Sequence, residues 1–363
     1  FDCLGHKLIL AKLQTLGVQQ SALKWFESYL NERYQVVEVK QRRMGETCTV
    51  KSEKLPMTRG VPQGSVLGPV LYILFTNDLP IFLENYTNSI MYADDTVLLS
   101  AQKDVEQLEI NSYISFNMAQ QYCKYNDLVL NSLKTKQLTL GTNKNYVSEI
   151  PGIQETEDMN YLGITLNNTL TWTNHIDNLC LKLNSSLYAL RRTHATSTLE
   201  STKIAYYALF ESHLRYGIAA WGGTTQFNLL KVLKIQKKAI RLMGKLGPRE
   251  SCRATFKELN ILTVTSLYIL ETILYCLSKD FPRNSNLHEH NTRHGQDFPL
   301  PLHRTAVFEK KPTYAGKKLF NALPEEIKKN GNNHINMKTA IRNWLLQRTI
   351  YTVEEFYLWR LTT

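Results

Sequence analysis

The sequence predicts an α+β fold, in which an antiparallel sheet backed by helices is followed by an all-helical region. Before residue 168, short β-prone segments alternate with helical ones, as in a sheet covered by helices. After Trp172 the apolar pattern is almost wholly helical. Two adjacent carboxylates, Asp94 and Asp95, separate two short apolar runs. Because aspartate tolerates tight turns, this arrangement predicts a β-hairpin with the carboxylates at its end.

The first 55 residues are predicted to form two helices and two strands. The apolar residues of segment 7–16 share one helical face, and the helix is expected to end at Gly17. Ser21 is expected to cap a second helix. Residues 33–40 and 48–55 are expected to be strands joined by a polar turn.

A loop dense in glycine and proline follows, with the sequence RGVPQGSVLGP over residues 59–69. Gly60, Gly64 and Gly68 remove side chains where another group could approach the backbone closely. Pro69 suits the first turn of a helix, and the apolar run behind it predicts a core helix. The alternative is that this segment has no binding role and is only a loop that leads into a buried helix.

Several further elements are predicted between residues 78 and 302. Asp78 is expected to cap a short helix that begins at Leu79. A helix is expected over residues 105–124, with short strands near 128–130 and 137–140. The polar segment 280–302 is the best linker candidate, and its histidines, His288, His290 and His294, fit a polar loop better than a metal site.

The paired carboxylates have a chemical use as well as a structural one. A hard divalent cation prefers oxygen ligands, and two such ions roughly 4 Å apart can hold the attacking and leaving oxygens of a phosphoryl transfer. Taken alone, however, an Asp-Asp pair is most often an ordinary solvent-exposed turn and not a metal site.

In combination, these motifs resemble the palm of a reverse transcriptase, as found in non-LTR retrotransposons of the jockey type. The resemblance covers most of the chain, strongly over residues 1–243, and rests on blocks in a fixed order. The blocks are residues 60–69, residues 92–95, residues 126–135, residues 161–164, and residues 216–217 with 221–222 and Gln236.

The resemblance implies a right-hand polymerase palm and a helical thumb, with the fingers largely missing. It implies that Asp94 and Asp95 hold Mg²⁺ or Mn²⁺ and that Lys134 lies near the nucleotide phosphates. The residues implied to contact nucleotide or template are Phe1, Gln63, Gly64, Ser65 and Tyr92. The residues implied to form the primer grip are Tyr161, Leu162 and Gly163.

The first residue is Phe1 and not methionine, so we expect a fragment, a processed product or an incomplete gene model. In the family, a third metal-binding aspartate precedes the aromatic residue that Phe1 matches. As written, the chain is therefore expected not to polymerise by itself. A non-catalytic relic or a co-opted nucleic-acid-binding protein is the alternative.

Composition points to polyanionic partners. The formal net charge is +11 and the pI is about 9.2. The resemblance implies that the partners are an RNA template, a DNA primer and deoxynucleoside triphosphates, with no membrane. The six cysteines are scattered without a Cys-x-x-Cys pair, which predicts neither a zinc knuckle nor a disulfide framework. Together with the lack of a signal peptide, this favours a nuclear or cytoplasmic protein over a secreted one, and the resemblance implies a ribonucleoprotein.

A basic stripe marks the helical region. No acidic residue occurs between Thr225 and Arg249. Basic residues recur there at three- and four-residue steps, which places them on one helix face. They are Lys231, Lys234, Lys238, Arg241 and Lys245. Backbone phosphates are the natural counter-charge, although a solvated face remains the alternative.

The predicted domains follow from these motifs. They are a palm over 1–168, a thumb or connector over 169–250, a helical extension over 251–279, the linker 280–302 and a C-terminal helical region over 303–363. Two rivals stay open at this point. One is another palm polymerase, such as an intron maturase or an RNA-copying viral enzyme, and the other is a helical scaffold.

Overall fold

A computed structural model describes residues 2–43, 46–287, 294–328 and 334–358. It contains both helices and small sheets, so the predicted α+β class is confirmed. The chain divides into two compact units, Phe1–Glu157 and Asp158–Thr363. Phe1 lies outside the described residues.

The first unit contains five α-helices and eight short strands within its described residues. The helices are α1 (His6–Thr15), α2 (Gln20–Leu30), α3 (Leu67–Thr76), α4 (Leu79–Leu83) and α5 (Val105–Tyr125). The strands are β1 (Tyr34–Gln35), β2 (Glu38–Arg43), β3 (Glu46–Lys51), β4 (Leu55–Pro56), β5 (Asn88–Tyr92), β6 (Asp95–Leu99), β7 (Lys136–Gln137) and β8 (Gln154–Glu155).

These strands pair two by two. The pairs β1–β4, β2–β3 and β5–β6 are antiparallel, whereas β7–β8 is parallel. Over the described residues, the strands thus form separate two-stranded sheets. The arrangement of one antiparallel palm sheet stays a prediction.

Helix α3 is the core helix that the sequence predicts behind the glycine loop. Its residues Leu71 and Phe75 are 1% exposed and pack with Ile9 and Leu13 of α1. Val61 of the loop joins the same apolar cluster. The loop is therefore anchored at both ends, by Val61 and by the buried face of α3.

Three local predictions in this unit are wrong. Ser21 does not cap α2, because that helix begins at Gln20 with Gln19 as the preceding residue and without a capping side chain. Residues 128–130 form no strand, since Leu128 packs into the apolar clusters beside α3 and α5 and does not join a sheet. Asp78 makes no side-chain capping bond to α4.

The carboxylate of Asp78 instead connects three helices. It accepts hydrogen bonds from Lys12 Nζ at 2.9 and 3.0 Å and from Tyr122 Oη at 2.5 Å. Although burial alone would raise the pKa of Asp78, the hydrogen bonds from Tyr122 and Lys12 bring it below its ordinary value. Asp78 is thus a structural residue that links α1, α4 and α5.

The second unit begins with a hairpin and continues as helices. The hairpin strands are β9 (Asp158–Tyr161) and β10 (Ile164–Asn167), paired antiparallel. The helices are α6 (Thr173–Thr196), α7 (Leu199–Ala205), α8 (Ser212–Arg215), α9 (Ile218–Trp221), α10 (Gln226–Met243), α11 (Arg253–Glu258), α12 (Val264–Leu277), α13 (Asn284–Leu287), α14 (Ala306–Glu309), α15 (Pro312–Asn321), α16 (Glu325–Lys328), α17 (His334–Arg348) and α18 (Val353–Tyr357). A π-helical segment, Tyr206–Glu211, connects α7 to α8.

One apolar core extends from α6 to α18 and contains the fully buried residues Trp221, Phe256 and Phe356. The side-chain amide of Gln236 is buried in this core. Gln236 Nε2 donates to Tyr206 Oη and to the carbonyl of Leu262, both at 2.9 Å. Gln236 Oε1 accepts from the backbone N–H of Val264 at 2.8 Å. Because a buried polar group is costly unless bonded, Gln236 fixes α10 against the start of α12.

Part of the predicted linker packs on this core. Phe298 is 2% exposed, and its backbone N–H and carbonyl both bond to the side-chain amide of Asn321, at 2.8 and 2.9 Å. His294 lies 2.9 Å from the carboxylate of Asp297. His288 and His290 lie outside the described residues.

No helix in the described segments has both the length and the apolar character needed to cross a membrane.

Candidate active site and nucleic-acid-binding surfaces

The two adjacent carboxylates lie at the end of a β-hairpin, as predicted. Tyr92 of β5 pairs with Asp95 of β6, which leaves Ala93 and Asp94 as a two-residue turn. Ala93 has a φ of 52°, in the left-handed region that costs a residue with a side chain roughly 1–2 kcal/mol. The tight turn exposes both Asp94 and Asp95.

Both carboxylates are free to bind a cation. Within the described part of the chain, neither accepts a hydrogen bond nor forms a salt bridge. Burial, followed by the negative charge of Asp94 and then the thiols of Cys123 and Cys3, raises the pKa of the Tyr72 hydroxyl. Since Tyr72 belongs to α3, this interaction shows that the end of the hairpin lies near the helix that follows the glycine loop.

The glycine loop packs against the start of the chain. The N–H of Gly60 donates to the carbonyl of Leu4 at 2.8 Å, and the carbonyl of Gly60 lies 2.8 Å from His6 Nε2. Gly60 has a φ of +81°, and a Cβ at this position would lie 3.0 Å from the carbonyl oxygen of Asp2. Here the predicted close approach is made by the protein's own backbone.

The next residues of this loop are more open. Gln63 is exposed, and its Nε2 donates to both oxygens of the Asp2 carboxylate, at 3.0 and 2.9 Å. A Cβ on Gly64, whose φ is +79°, would meet no atom within 4 Å. Gly64 therefore leaves its backbone accessible to a ligand.

Ser65 has a local structural role. Its hydroxyl donates to the carbonyl of Pro62 at 2.7 Å and accepts from the N–H of Gly68 at 3.1 Å. These bonds hold the turn that leads into α3, so Ser65 shapes the loop that presents Gln63 and Gly64.

Lys134 lies in an exposed turn. Its backbone N–H bonds to the carbonyl and the side-chain oxygen of Asn131, at 3.1 and 3.2 Å. Tyr92 is also exposed, at 65%.

Asp94 and Asp95 do not belong to any group of three metal-ligand side chains among the described residues. One such group does exist there, formed by His294, Asp297 and Glu325. However, Lys328 Nζ donates to Asp297 at 2.6 Å and to Glu325 at 2.8 Å. The ammonium group thus already supplies the positive charge at that position.

The β9–β10 hairpin contains the predicted primer-grip residues. Its two-residue turn, Leu162 and Gly163, has φ values of 46° and 78°, the combination that type I′ hairpin turns require. Tyr216 Oη donates to the carbonyl of Leu162 at 2.5 Å. The Tyr216 ring lies 3.5 Å from a Cβ built on Gly163. Sequence reasoning missed this contact, because Tyr216 is remote in the chain and carries no local signal for the turn.

The basic residues of α10 lie opposite its buried face, which includes Leu229, Leu233 and Ile240 as expected. They are not equivalent. Lys231 forms a salt bridge with Asp177 of α6 at 2.9 Å, and Arg241 Nε bonds to the carbonyl of Glu250 at 2.9 Å.

Lys234 and Lys238 are exposed and pair with no carboxylate in the described segments. Lys245 is exposed beyond the end of α10. These three lysines are exposed and available to a polyanion.

Comparison with known proteins identifies a similar family. Residues 1–166 match the family described as reverse transcriptase (RNA-dependent DNA polymerase). The match covers a little under half of the chain. The match includes the glycine loop, the Asp94–Asp95 hairpin and the β9–β10 hairpin up to residue 166.

Three curated relatives of this chain come from Drosophila melanogaster. The RNA-directed DNA polymerase from mobile element jockey is 28% identical over 66% of this chain and 27% of its own length. A probable RNA-directed DNA polymerase from transposon BS is 28% identical over 73% of this chain and 30% of its own length. A third, a probable RNA-directed DNA polymerase from transposon X-element, is 24% identical over 51% of this chain and 21% of its own length.

The chain thus spans less than a third of the relatives that it matches. No solved structure matches it. These relatives favour a jockey-like retrotransposon reverse transcriptase over the intron and viral polymerases considered above.

Proposed function

We propose that the chain contributes the palm, thumb and C-terminal region of an RNA-directed DNA polymerase from a non-LTR retrotransposon. The observation that carries this proposal is the pair of unpartnered carboxylates, Asp94 and Asp95, in a reverse transcriptase domain. The substrates would be an RNA template, a DNA primer and deoxynucleoside triphosphates. The template would be the element's own transcript, copied from a nick in chromosomal DNA by a nuclear or cytoplasmic ribonucleoprotein.

The donor atoms of Asp94 and Asp95 suit a hard divalent cation, because both side chains offer only oxygen and neither bonds to another described residue. The two residues would hold Mg²⁺, or Mn²⁺ in its place. The ion supplies Lewis-acid chemistry, which lowers the pKa of the primer 3′-hydroxyl and offsets the charge of the leaving pyrophosphate.

Other residues would bind and orient the substrates. Gln63 and Gly64 would contact the incoming nucleotide or the template base, and the open backbone at Gly64 suits such a contact. Phe1, Ser65 and Tyr92 would complete this pocket. The exposed ammonium of Lys134 would face the phosphates and could donate a proton to pyrophosphate. Tyr161, Leu162 and Gly163 would contact the primer.

The resemblance implies a third metal-binding aspartate, and no third acidic or histidine side chain joins Asp94 and Asp95 among the described residues. We therefore expect no RNA-templated primer extension by this chain alone. Extension is expected in a chimaera that carries the corresponding N-terminal part of the jockey relative, assayed with labelled DNA primer on RNA template. A chimaera that folds and binds template–primer but does not extend it would favour the alternative, a non-catalytic nucleic-acid-binding protein.

The basic face of α10 would hold the template–primer hybrid. We expect the triple substitution Lys234→Ala, Lys238→Ala, Arg241→Ala to weaken hybrid binding and to flatten its salt dependence. Because each neutralised phosphate contributes about 0.9 to the slope of log affinity against log salt, losing three cations lowers that slope by about 2 to 3. Fluorescence polarisation between low and moderate salt measures the change.

Lys231→Ala is the matched control, because Asp177 already neutralises that lysine. It is expected to change the slope by much less than one exposed lysine does. If the triple variant keeps the original slope, α10 has only a solvated face.

A further inference from the structure

The turn of the β9–β10 hairpin contacts a tyrosine that lies outside the hairpin. Leu162 has a φ of 46°, in the left-handed region that is unfavourable for a residue with a side chain. Its carbonyl accepts a hydrogen bond from Tyr216 Oη at 2.5 Å, and the Tyr216 ring packs beside Gly163. Because a strained turn keeps one geometry only where its surroundings hold it, Tyr216 is placed to fix this turn.

The backbone on either side of the Tyr216 carbonyl is held by two further contacts. Helix α8 ends at Tyr216, where the chain is extended, and the chain then bends at Gly217, whose φ is 62°. A Cβ on Gly217 would overlap Ile164 of β10, so glycine allows this bend to pack directly against the hairpin. The fully buried Trp221 donates from Nε1 to the carbonyl of Tyr216 at 2.8 Å. The bend is therefore held between the hairpin and the core.

An ion-pair cluster holds the residue that precedes Tyr216. Arg215 Nε donates to the carboxylate of Glu211 at 2.7 Å, and Arg215 Nη1 donates to the carboxylate of Glu271 in α12. Glu211 is 4% exposed, and a buried charge is costly unless it is paired. Glu211 also ends the π-helical segment, a kind of structure that is frequent at functional sites. Arg215 thus fixes α8 relative to α12.

These contacts form a continuous path from α12 to the hairpin turn. Glu271 bonds to Arg215, Tyr216 is the next residue, and the Tyr216 hydroxyl bonds to Leu162. Tyr216 is 56% exposed, so filling the core does not account for its hydroxyl. The hydroxyl is instead suited to setting the geometry of the turn.

We propose that Tyr216 is a positioning residue for the primer end, because its hydroxyl fixes the turn at Leu162 while Arg215 fixes Tyr216. This inference rests on the proposed function, in which Leu162 and Gly163 contact the primer. A displaced turn still contacts the primer but holds its end in the wrong place. A misplacement of about 1 Å can lower the rate of a reaction about a hundredfold. The hydroxyl therefore affects the rate of extension and not the affinity for template–primer.

The test compares Tyr216→Phe, which removes only the hydroxyl, with the parent in the chimaera that carries the N-terminal part of the jockey relative. Single-turnover extension at saturating template–primer is expected to slow about tenfold, while the Kd for template–primer stays unchanged. A general loss of structure would lower the unfolding temperature and the fraction of active complexes, not the rate of each bound complex. Tyr188→Phe is the matched control, because this exposed tyrosine of α6 makes no hydrogen bond with the described residues.

Hydrogen exchange of the full chain tests the turn without any assay of activity. Tyr216→Phe is expected to speed exchange of the backbone amides of residues 160–165 by about tenfold, the size expected for one hydrogen bond. The amides of α12 are expected to exchange as in the parent. Glu271→Gln, which weakens the link between Arg215 and α12, is expected to speed exchange at residues 160–165 by a smaller factor.

The proposal is overturned if Tyr216→Phe extends primers at the rate of Tyr188→Phe, or if exchange at the turn is unchanged. A loss of template–primer affinity without a loss of rate identifies direct binding by Tyr216 and also overturns it. Unchanged exchange in Glu271→Gln refutes the role of Arg215. A parent chimaera that cannot extend a primer overturns the proposed function together with this inference, whereas an active parent with an equally active Tyr216→Phe overturns this inference alone.

Discussion

Replacing Asp94 or Asp95 by alanine is expected to abolish metal-dependent primer extension on an RNA template. Each substitution removes one of the two unpartnered carboxylates of the β5–β6 hairpin. A divalent cation held by these side chains stabilises charge in the transition state of phosphoryl transfer, and loss of one such stabilising group costs about a hundredfold or more in rate. Both side chains are exposed, so neither substitution opens a cavity in the core.

The measurement uses the chimaera with the N-terminal part of the jockey relative, because the chain alone is expected to be inactive. Single-turnover extension of a labelled DNA primer is followed at several Mg²⁺ and Mn²⁺ concentrations. Glu106→Ala, which removes an exposed carboxylate from α5, is the matched control and is expected to retain full activity.

Thermal unfolding separates a catalytic effect from a structural one. Both aspartate variants are expected to unfold at the same temperature as the parent, since neither carboxylate bonds to another described residue. Extension by Asp94→Ala and Asp95→Ala at the parent rate would refute the assignment of these residues.

The elements that the sequence predicts correctly are those whose signals lie in neighbouring residues of the chain. The β5–β6 hairpin follows from two short apolar runs with an aspartate turn between them. Helix α5 begins where Asp104 accepts a bond from the N–H of Gln107, at 3.0 Å, so one residue type at one position defines its start. Signals of this kind need no knowledge of the rest of the fold.

Two of the three wrong predictions concern side chains whose partners are distant in the chain. Asp78 has the position and residue type of a helix cap, but Lys12 and Tyr122 supply stronger, charge-assisted partners. Leu128 has β-propensity, but it packs against two apolar clusters and pairs with no strand. In both cases tertiary contacts outweigh local preference.

In the candidate site, too, the sequence predicts the local features but not the contacts between residues that are distant in the chain. Sequence identifies Gly60 as a position that needs glycine, but only the fold shows that the close neighbour is the backbone of Asp2. Sequence also places five basic residues on one face of α10. It cannot show that Asp177 neutralises Lys231 and that Arg241 bonds to the carbonyl of Glu250, because both partners lie outside that helix.

A second large effect is expected in the C-terminal region, from a residue that carries no sequence signal at all. The side chain of Lys328 is fully buried and donates to the carboxylates of Asp297 and Glu325. Asp297 is itself 8% exposed. Lys328→Ala is expected to lower the free energy of unfolding by about 3–5 kcal/mol, because it leaves a buried carboxylate without its cation.

Chemical denaturation of the full chain, followed by circular dichroism, measures this loss. Lys338→Ala, which removes an exposed lysine from α17, is the control and is expected to change the free energy by less than about 0.5 kcal/mol.

A double variant distinguishes the loss of a charge from the loss of packing. Lys328→Met with Asp297→Asn removes both buried charges while it keeps similar side-chain volumes. Because the desolvation of two charges offsets most of their attraction, this pair is expected to recover most of the stability that Lys328→Ala loses. If the double variant is as unstable as Lys328→Ala, the contribution of Lys328 lies in its apolar packing against the core and not in its pairing with Asp297.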